Sequence, residues 1–272
     1  MLFSVISINL NNKDGLRKTL DSVKSQVIKN YELIIVDGGS NDGSLSVLDD
    51  YKDIVDLVIC QEGSGIYNAM NLGIEKASGD FIVFLNSGDV FYCESTLDRV
   101  SHHCKDKNAL YFGRAKMAVR EDIYWMVPYA KGEARISLWL RHHLPIHQAI
   151  FFPSKFCLSN FYDERFTIAG DLEYKLRAQN LLPPFVFINE EAVCTCEIGG
   201  ISTSYKSFKI IWRKIHETHF ALRQHYNNPL EVFLKISLVV FVQTSKYMLS
   251  FLFGEEILYT LLIRLRLIAS QD

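Results

Sequence analysis

Apolar and polar positions alternate in blocks along the first hundred residues, and the period of the apolar positions switches from block to block. Residues 3–9 are an apolar, β-branched run ending in the polar loop Asn9-Leu10-Asn11-Asn12. Leu16, Leu20, Val23 and Val27 then recur at helical spacing. Residues 31–36 predict a second strand, broken by Asp37-Gly38-Gly39-Ser40-Asn41-Asp42-Gly43, and a short helix with Leu45 and Leu48 apolar comes next. Residues 54–60 read as a third strand. Ile66, Met70, Gly73 and Ala77 line one face of the following helix, and residues 81–85 form a fourth strand ending in Asn86-Ser87-Gly88-Asp89. Short apolar runs separated by helices predict an α/β fold: a mostly parallel sheet with helices on both faces. In such sheets ligands bind beyond the carboxyl ends of the strands, and all three polar loops leave those ends.

Between about residues 105 and 200 the pattern loosens. Residues 109–117 and 146–152 predict strands, and residues 171–179 a helix with Leu172 and Leu176 on one side. A further strand follows Pro183-Pro184 at residues 185–188. The tail begins near Tyr205, with a basic helix over 208–224 that Asn227-Asn228-Pro229 breaks. From Leu230 the chain is strongly apolar, but only ten uncharged residues separate Lys235 from Lys246, and eight separate Lys246 from Glu255. A spanning helix uses about 20 apolar residues. Interfacial helices with snorkelling lysines fit best. A helical pair packed on the body or on a second copy in a homo-oligomer is the next reading, and a true span the last.

Composition narrows the function classes. The 272 residues are 49% apolar and 22% charged, which excludes a disordered or disulfide-stapled chain. A net charge of −2 gives no basic field, so no nucleic acid is expected as a partner. The charge is uneven: residues 205–272 hold nine Lys+Arg against five Asp+Glu, leaving 20 against 26 in residues 1–204. A basic, apolar tail on an acidic body points toward an anionic surface such as a membrane. The six cysteines are scattered, and Cys194-Thr195-Cys196 is no zinc-ribbon spacing, so they read as buried or free thiols in a reducing compartment. Residues 1–10 lack basic residues and a small-residue cleavage site and read as a first strand rather than a secretion signal.

Four segments have the residue types for chemistry. Asp37 and Asp42 stand where a strand enters a glycine-rich turn; a carboxylate there accepts hydrogen bonds from a ribose or a base N–H. The competing reading is a turn in which Asn41 or Asp42 caps the next helix. This loop lacks the lysine of a phosphate loop and the spacing of a dinucleotide fingerprint. Asp89 ends the fourth strand on the same side. A hard divalent cation takes one or two carboxylates plus substrate phosphates and offsets the charge of a diphosphate leaving group; the alternative is a strand-ending turn. In the third segment Gly65 exposes helix N–H groups to an anion. Asn68 and Asn71 share a polar face of that helix, which otherwise simply packs on the sheet. In Ile168-Ala169-Gly170-Asp171, Asp171 is either a helix N-cap or a general base for a sugar hydroxyl. His147-Gln148 and Gly199-Gly200 would line an acceptor pocket, although His147 alone reads as a structural histidine.

Taken in order, VDGGSNDG, GIYNAMNLGI, ASGDFIVFLNSGD, HQAIFF, IAGDLEYKLR and GGIS resemble the inverting family-2 glycosyltransferases of the GT-A fold, over residues 3–202. The branch is similar to bacterial enzymes of capsule, colanic-acid and O-antigen assembly. The resemblance implies a nucleotide-diphosphate sugar donor of the UDP-sugar kind, Mn2+ or Mg2+, and direct displacement at the anomeric carbon. It places Asp37 and Asp42 at the nucleotide, with Ser7, Asn9 and Asn11 in the first loop around it. Gly65, Asn68, Asn71 and Ser87 fall on the donor site, Asp89 on the metal acid, Asp171 on the catalytic base, and His147, Gln148, Gly199 and Gly200 on the acceptor side. It implies a GT-A domain over 1–204, with a nucleotide half (1–105) and an acceptor half (106–204), and a membrane-associated or oligomerising tail over 205–272. The acceptor would be a saccharide, lipid-diphosphate-linked, at the inner face of the cytoplasmic membrane, with residues 229–269 on the membrane surface. The chain departs from the pattern at Gly88, where the metal motif usually has a second acid, at Asn68 and at Gly170. A sugar nucleotidyltransferase and a noncatalytic membrane-associated assembly subunit are the alternatives.

Overall fold

The computed structural model describes residues 3–262, apart from 62, 64, 121–122, 130–132, 141–142, 199–204, 206 and 256. In chain order the elements are β1 (Phe3–Asn9), α1 (Lys13–Lys24), β2 (Tyr31–Asp37), α2 (Ser44–Val47), β3 (Leu57–Cys60), α3 (Ile66–Lys76), β4 (Phe81–Phe84) and β5 (Val90–Phe91). There follow α4 (Thr96–His103), β6 (Tyr111–Arg120), β7 (Ile123–Val127), α5 (Glu133–Leu140), β8 (Ile150–Pro153), α6 (Ser154–Ser159), α7 (Gly170–Leu181), β9 (Val186–Glu197), α8 (Phe208–His225) and α9 (Pro229–Phe253). They build one sheet in the order β3-β2-β1-β4-β8-β6-β9-β5, with β7 paired to β6.

β3, β2, β1 and β4 run parallel. Their register sets Asn9 opposite Asp37 and Asp37 opposite Cys60, so the three polar loops leave one edge. β8 then runs antiparallel to β4 and β6, while β6 and β9 are parallel. Strand alternation divides the core in two. Val5, Ile35 and Val83 pack on α1 and α4 on one face; Ile6, Ile34, Ile82 and Phe84 pack on α3, α6, α7 and α8 on the other. The α/β sheet buried by helices on both faces is as the hydrophobic pattern predicts.

Local differences have local causes. α1 ends at Lys24, so Val27 lies beyond it and is exposed. β3 starts at Leu57 rather than 54, because the Asp56 carboxylate accepts the Leu33 amide at 2.8 Å, and it is an exposed edge strand. Ile66 is exposed, and the buried face of α3 is made by Tyr67, Ala69, Met70 and Ile74. His147–Ala149 form a 3-10 turn ahead of β8 instead of its first residues. β9 is 12 residues long; its half-exposed acids, which hide it in the sequence, pair with α4 through Arg99–Glu191 at 3.2 Å and His103–Glu190 at 2.6 Å.

The tail begins as part of the body. Ala221 and Leu222 of α8 enter the second core. Ile211 and Ile215 join Tyr205, Leu258 and Tyr259 in a third cluster. α9 starts at Asn228, whose side chain accepts the Leu230 amide at 3.0 Å, with Pro229 next. It runs unbroken through Lys235 and Lys246 for 25 residues and buries only Val232 and Ser250. Phe241 is 69% and Phe251 75% exposed. Its apolar window has a mean hydropathy of 1.5, long and apolar enough to cross a membrane.

Candidate active site

The loops leaving β1, β2 and β4 are stitched together by their own polar side chains. Asp37 is fully buried. Its Oδ1 accepts the amides of Gly39 (3.0 Å) and Ser40 (2.7 Å), and its Oδ2 accepts Asn9 Nδ2 and Ser40 Oγ, both at 2.8 Å. A carboxylate has about four lone-pair sites, and four donors fill them. Asn9 Oδ1 accepts Ser87 Oγ at 2.8 Å and so links the β2 loop to the β4 loop. Asn11, at φ +50°, donates its amide to Ser40 Oγ at 2.8 Å and accepts the Asn41 amide at 2.9 Å. Asp42 accepts the Lys13 amide at 2.9 Å and the Ser44 hydroxyl at 2.6 Å, and the bond to Ser44 holds its carboxyl below the usual range.

Beside this frame lies a cavity of about 510 Å³. Asp89 and Asp171 both line it, together with Ser87, His147, Gln148, Lys175, Tyr67 and Glu197. Asp37 is not in its wall; it sits behind, joined through Asn9 and Ser87. Asp89 is almost buried, and Gln148 Nε2 donates to its Oδ2 at 2.8 Å. Burial pushes its carboxyl up to about 7. Gly88, just before it, stands at φ +102°, the left-handed region where a second acid would be strained. That explains why glycine stands there.

Asp171 is in the first turn of α7, where the helix N-terminus favours a negative charge. Lys175 lies one turn on, and its Nζ donates to Asp171 Oδ2 at 3.2 Å and to the Pro145 carbonyl at 3.1 Å. His147 Nδ1 is 3.9 Å from the same oxygen. Burial pushes the Asp171 carboxyl up, but Lys175 and His147 outweigh it and leave it below the usual range. Burial lowers His147 to about 4, so its ring is neutral at pH 7. Asp171 is therefore an ionised acceptor on the cavity wall, its side chain 31% exposed.

The backbone ahead of it is held from two sides. Tyr67 Oη accepts the Gly170 amide at 2.8 Å and lies 3.4 Å from the Asp171 amide. A Cβ on Gly170 would come within 2.7 Å of the Tyr67 ring, so the absence of a side chain there is steric. Glu217 of α8 accepts the amides of Thr167, Ile168 and Ala169 at 2.8–3.1 Å.

Of the residues named from sequence, Ser87, Asp89, His147, Gln148 and Asp171 line the cavity. Ser7, Asn9, Asn11, Asp37 and Asp42 form the frame behind it. Ser7 is buried on β1 with its hydroxyl unpartnered. Gly65, at φ +87°, opens α3. Asn68 and Asn71 do not face the cavity: both donate to Glu164 Oε1, at 3.1 and 2.9 Å, and Asn71 clamps the backbone of Tyr162. Gly199 and Gly200 lie outside the described residues. Lys175 has a signal in the sequence, the i,i+4 spacing to Asp171. Tyr67 and Glu217 have none, being about 100 and 46 residues away.

A hard divalent cation fits the residues at hand. It takes oxygen ligands, and the Asn86 Oδ1 and Gln148 Oε1 atoms near Asp89 are buried without a partner. Among the described residues no group of three His, Cys, Asp or Glu is assembled, so Asp89 would be its main protein charge.

A parallel half-sheet with polar loops at its carboxyl edge, opening on a cavity lined by Asp89 and Asp171 among others, is the architecture of GT-A glycosyltransferases. Residues 4–157 match Glycosyl transferase family 2, and the chain belongs to that family. It is 32% identical over 187 residues to an uncharacterized glycosyltransferase, Rv1514c, of Mycobacterium tuberculosis, covering 66% of this chain and 70% of that one. It is 27% identical over 244 residues to a PGL/p-HBAD biosynthesis glycosyltransferase of Mycobacterium bovis, covering 88% and 90%. Staphylococcus aureus TarS 1-349 in complex with UDP-GlcNAc has a TM-score of 0.67 at 17% identity, covering 92% of this chain and 73% of that one; of the longer TarS chain, 40% is covered. The mannosyltransferase PcManGT from Pyrobaculum calidifontis, in complex with GDP-Man and Mn2+, has a TM-score of 0.63 at 14% identity, covering 98% and 80%. These likenesses show the fold.

Proposed function

We propose that this glycosyltransferase moves a sugar, with inversion, from a UDP-sugar to a hydroxyl of a lipid-diphosphate-linked saccharide in bacterial surface polysaccharide assembly. One observation carries the reading: Asp171, held ionised by Lys175, shares a cavity with Asp89. The acceptor hydroxyl lies against Asp171, and its oxygen attacks the anomeric carbon. The bond from that carbon to the diphosphate breaks, the hydroxyl proton passes to Asp171, and the electron pair leaves with the diphosphate. Asp89, Asn86 and Gln148 would hold a Mn2+ or Mg2+ ion, which when bound supplies positive charge to the diphosphate. The frame around Asp37 shapes the nucleotide side. The test is UDP release from UDP-GlcNAc with Mn2+. Asp171→Asn is expected to lose at least about 1,000-fold in rate while Mn2+-dependent UDP-GlcNAc binding persists; near-normal turnover overturns the base assignment.

The membrane surface is the second part of the proposal. The exposed apolar side of α9, with Phe208 and Trp212 of α8 beside it, supports a cytoplasmic enzyme bound to the inner face of the membrane. Phe241→Glu with Phe251→Glu is expected to abolish sedimentation with phosphatidylglycerol vesicles. Unchanged sedimentation points instead to packing between copies.

A further inference from the structure

We infer that Glu217 is the positioning residue for Asp171, and that α8 thereby holds the reactive turn in place; the inference rests on Asp171 being the base. Five consecutive amides, 167 to 171, are met by only two side chains. Glu217 Oε2 accepts Ile168 N at 2.8 Å and Ala169 N at 2.9 Å, and both oxygens lie 3.1 Å from Thr167 N. Oε1 also accepts the Thr167 hydroxyl at 2.7 Å. Tyr67 Oη takes the next two amides.

Helix N-termini leave amides unsatisfied, and the residue in the capping position here is Ala169, which has no side chain able to cap. The first two helical amides, 170 and 171, turn to Tyr67 of α3, and the three amides leading into the helix turn to Glu217 of α8, 48 residues beyond the last of them. Glu217 is 7% exposed and in the chain's own core, so water does not replace it. Burial raises its carboxyl, and the amides and hydroxyl of 167–169 outweigh that and lower it. Three amides and a hydroxyl need more than one acceptor oxygen. A carboxylate has two, whereas a glutamine has one and turns an NH2 toward the donors. The first turn of α7 is tied to α8 a second time, with His225 Nε2 3.0 Å from Glu173 Oε1. The Asp171 carboxylate thus has a fixed backbone beneath it, supplied by a helix that the family match over residues 4–157 does not include.

The test combines Glu217→Gln and the milder Thr167→Val. Hydrogen exchange of amides 167–171 is expected to speed up at least about tenfold in Glu217→Gln while amides 86–89 keep their protection. With UDP-GlcNAc and Mn2+, kcat for UDP release is expected to fall about 10–100-fold with KM within about twofold. Thr167→Val is expected to lower kcat about two- to fivefold, and to add nothing in the Glu217→Gln background. Unchanged exchange at 167–171, or unchanged kcat, overturns the inference. So does a parallel loss of kcat and of UDP-GlcNAc binding in both variants, which marks a merely structural glutamate. If the unmodified enzyme releases no UDP, the proposed reaction is what fails, and the exchange measurement alone decides the role of Glu217.

Discussion

Asp37 and Asp171 are both acids at the edge of the same sheet, and the molecule uses them in opposite ways. Asp37 is buried and its oxygens are occupied by four donors from Asn9, Gly39 and Ser40. Asp171 leaves its carboxylate toward the cavity with Lys175 as its close partner, and it is the backbone below that is tightly held. A carboxylate whose lone pairs are all taken builds shape; one with spare lone pairs and a fixed backbone is free to accept a proton. The difference lies in the neighbours, since both residues look alike in the sequence.

The sharpest way to break this comparison is to make the same change at both sites. Asp37→Asn sets an NH2 group against four donors and is expected to cost about 2–4 kcal/mol, lowering Tm by roughly 5–12 °C. Asp171→Asn is expected to change Tm by no more than about 2 °C. Thermal unfolding of both variants checks it. An Asp37→Asn protein of normal Tm that has lost only UDP-GlcNAc binding would place Asp37 on the nucleotide itself.

A smaller effect is expected at Gly170. Gly170→Ala meets the Tyr67 ring and is expected to cost about 1–3 kcal/mol, with a loss of UDP release beyond the loss of folded protein. If the Tyr67→Ala background tolerates the alanine, the clash is confirmed as the cause.

The third prediction concerns pH. The Asp171 carboxyl, raised by burial, is brought below its usual value by Lys175 and His147. The base is therefore ionised down to pH values beneath the ordinary carboxylate range, and its contribution to activity is lost as pH falls through that depressed value, below the step near 7 that belongs to Asp89. Lys175→Met removes the larger attraction, so the acidic limb of the pH–rate profile is expected to move up. The variant should lose more activity between pH 8 and pH 5 than the parent does. A limb that stays put excludes Lys175 as the cause.

The fold was largely legible because period separates strand from helix, and β1, β2 and β4 are buried on both faces and so appear as unbroken apolar runs. β5 has two residues, too few for any period to register, and the acids along β9 belong to pairs with Arg99 and His103 that only the folded chain brings near. The cavity residues Ser87, Asp89, His147, Gln148 and Asp171 were legible as polar or charged groups beside strand ends and helix starts. The spacing of Asn68 and Asn71 gives a shared helix face but not what lies over that face, which is Glu164, and the donor role rests on the resemblance alone. Glu217 was invisible for a related reason: an acid midway along a basic helix looks solvated until the turn at 167–169 is laid against it.

The way α8 is woven into the body bears on how the protein can be shortened. A chain stopped after residue 204 would strip Ala221 and Leu222 from the second core and leave the amides of 167–169 bare, so it should come out aggregated. Stopping after Asn228 removes the apolar surface of α9 and gives up the third cluster, while keeping Ala221, Leu222 and Glu217 of α8 on the body, and that shorter polypeptide is the one to expect in the supernatant, ready for crystals with a sugar nucleotide.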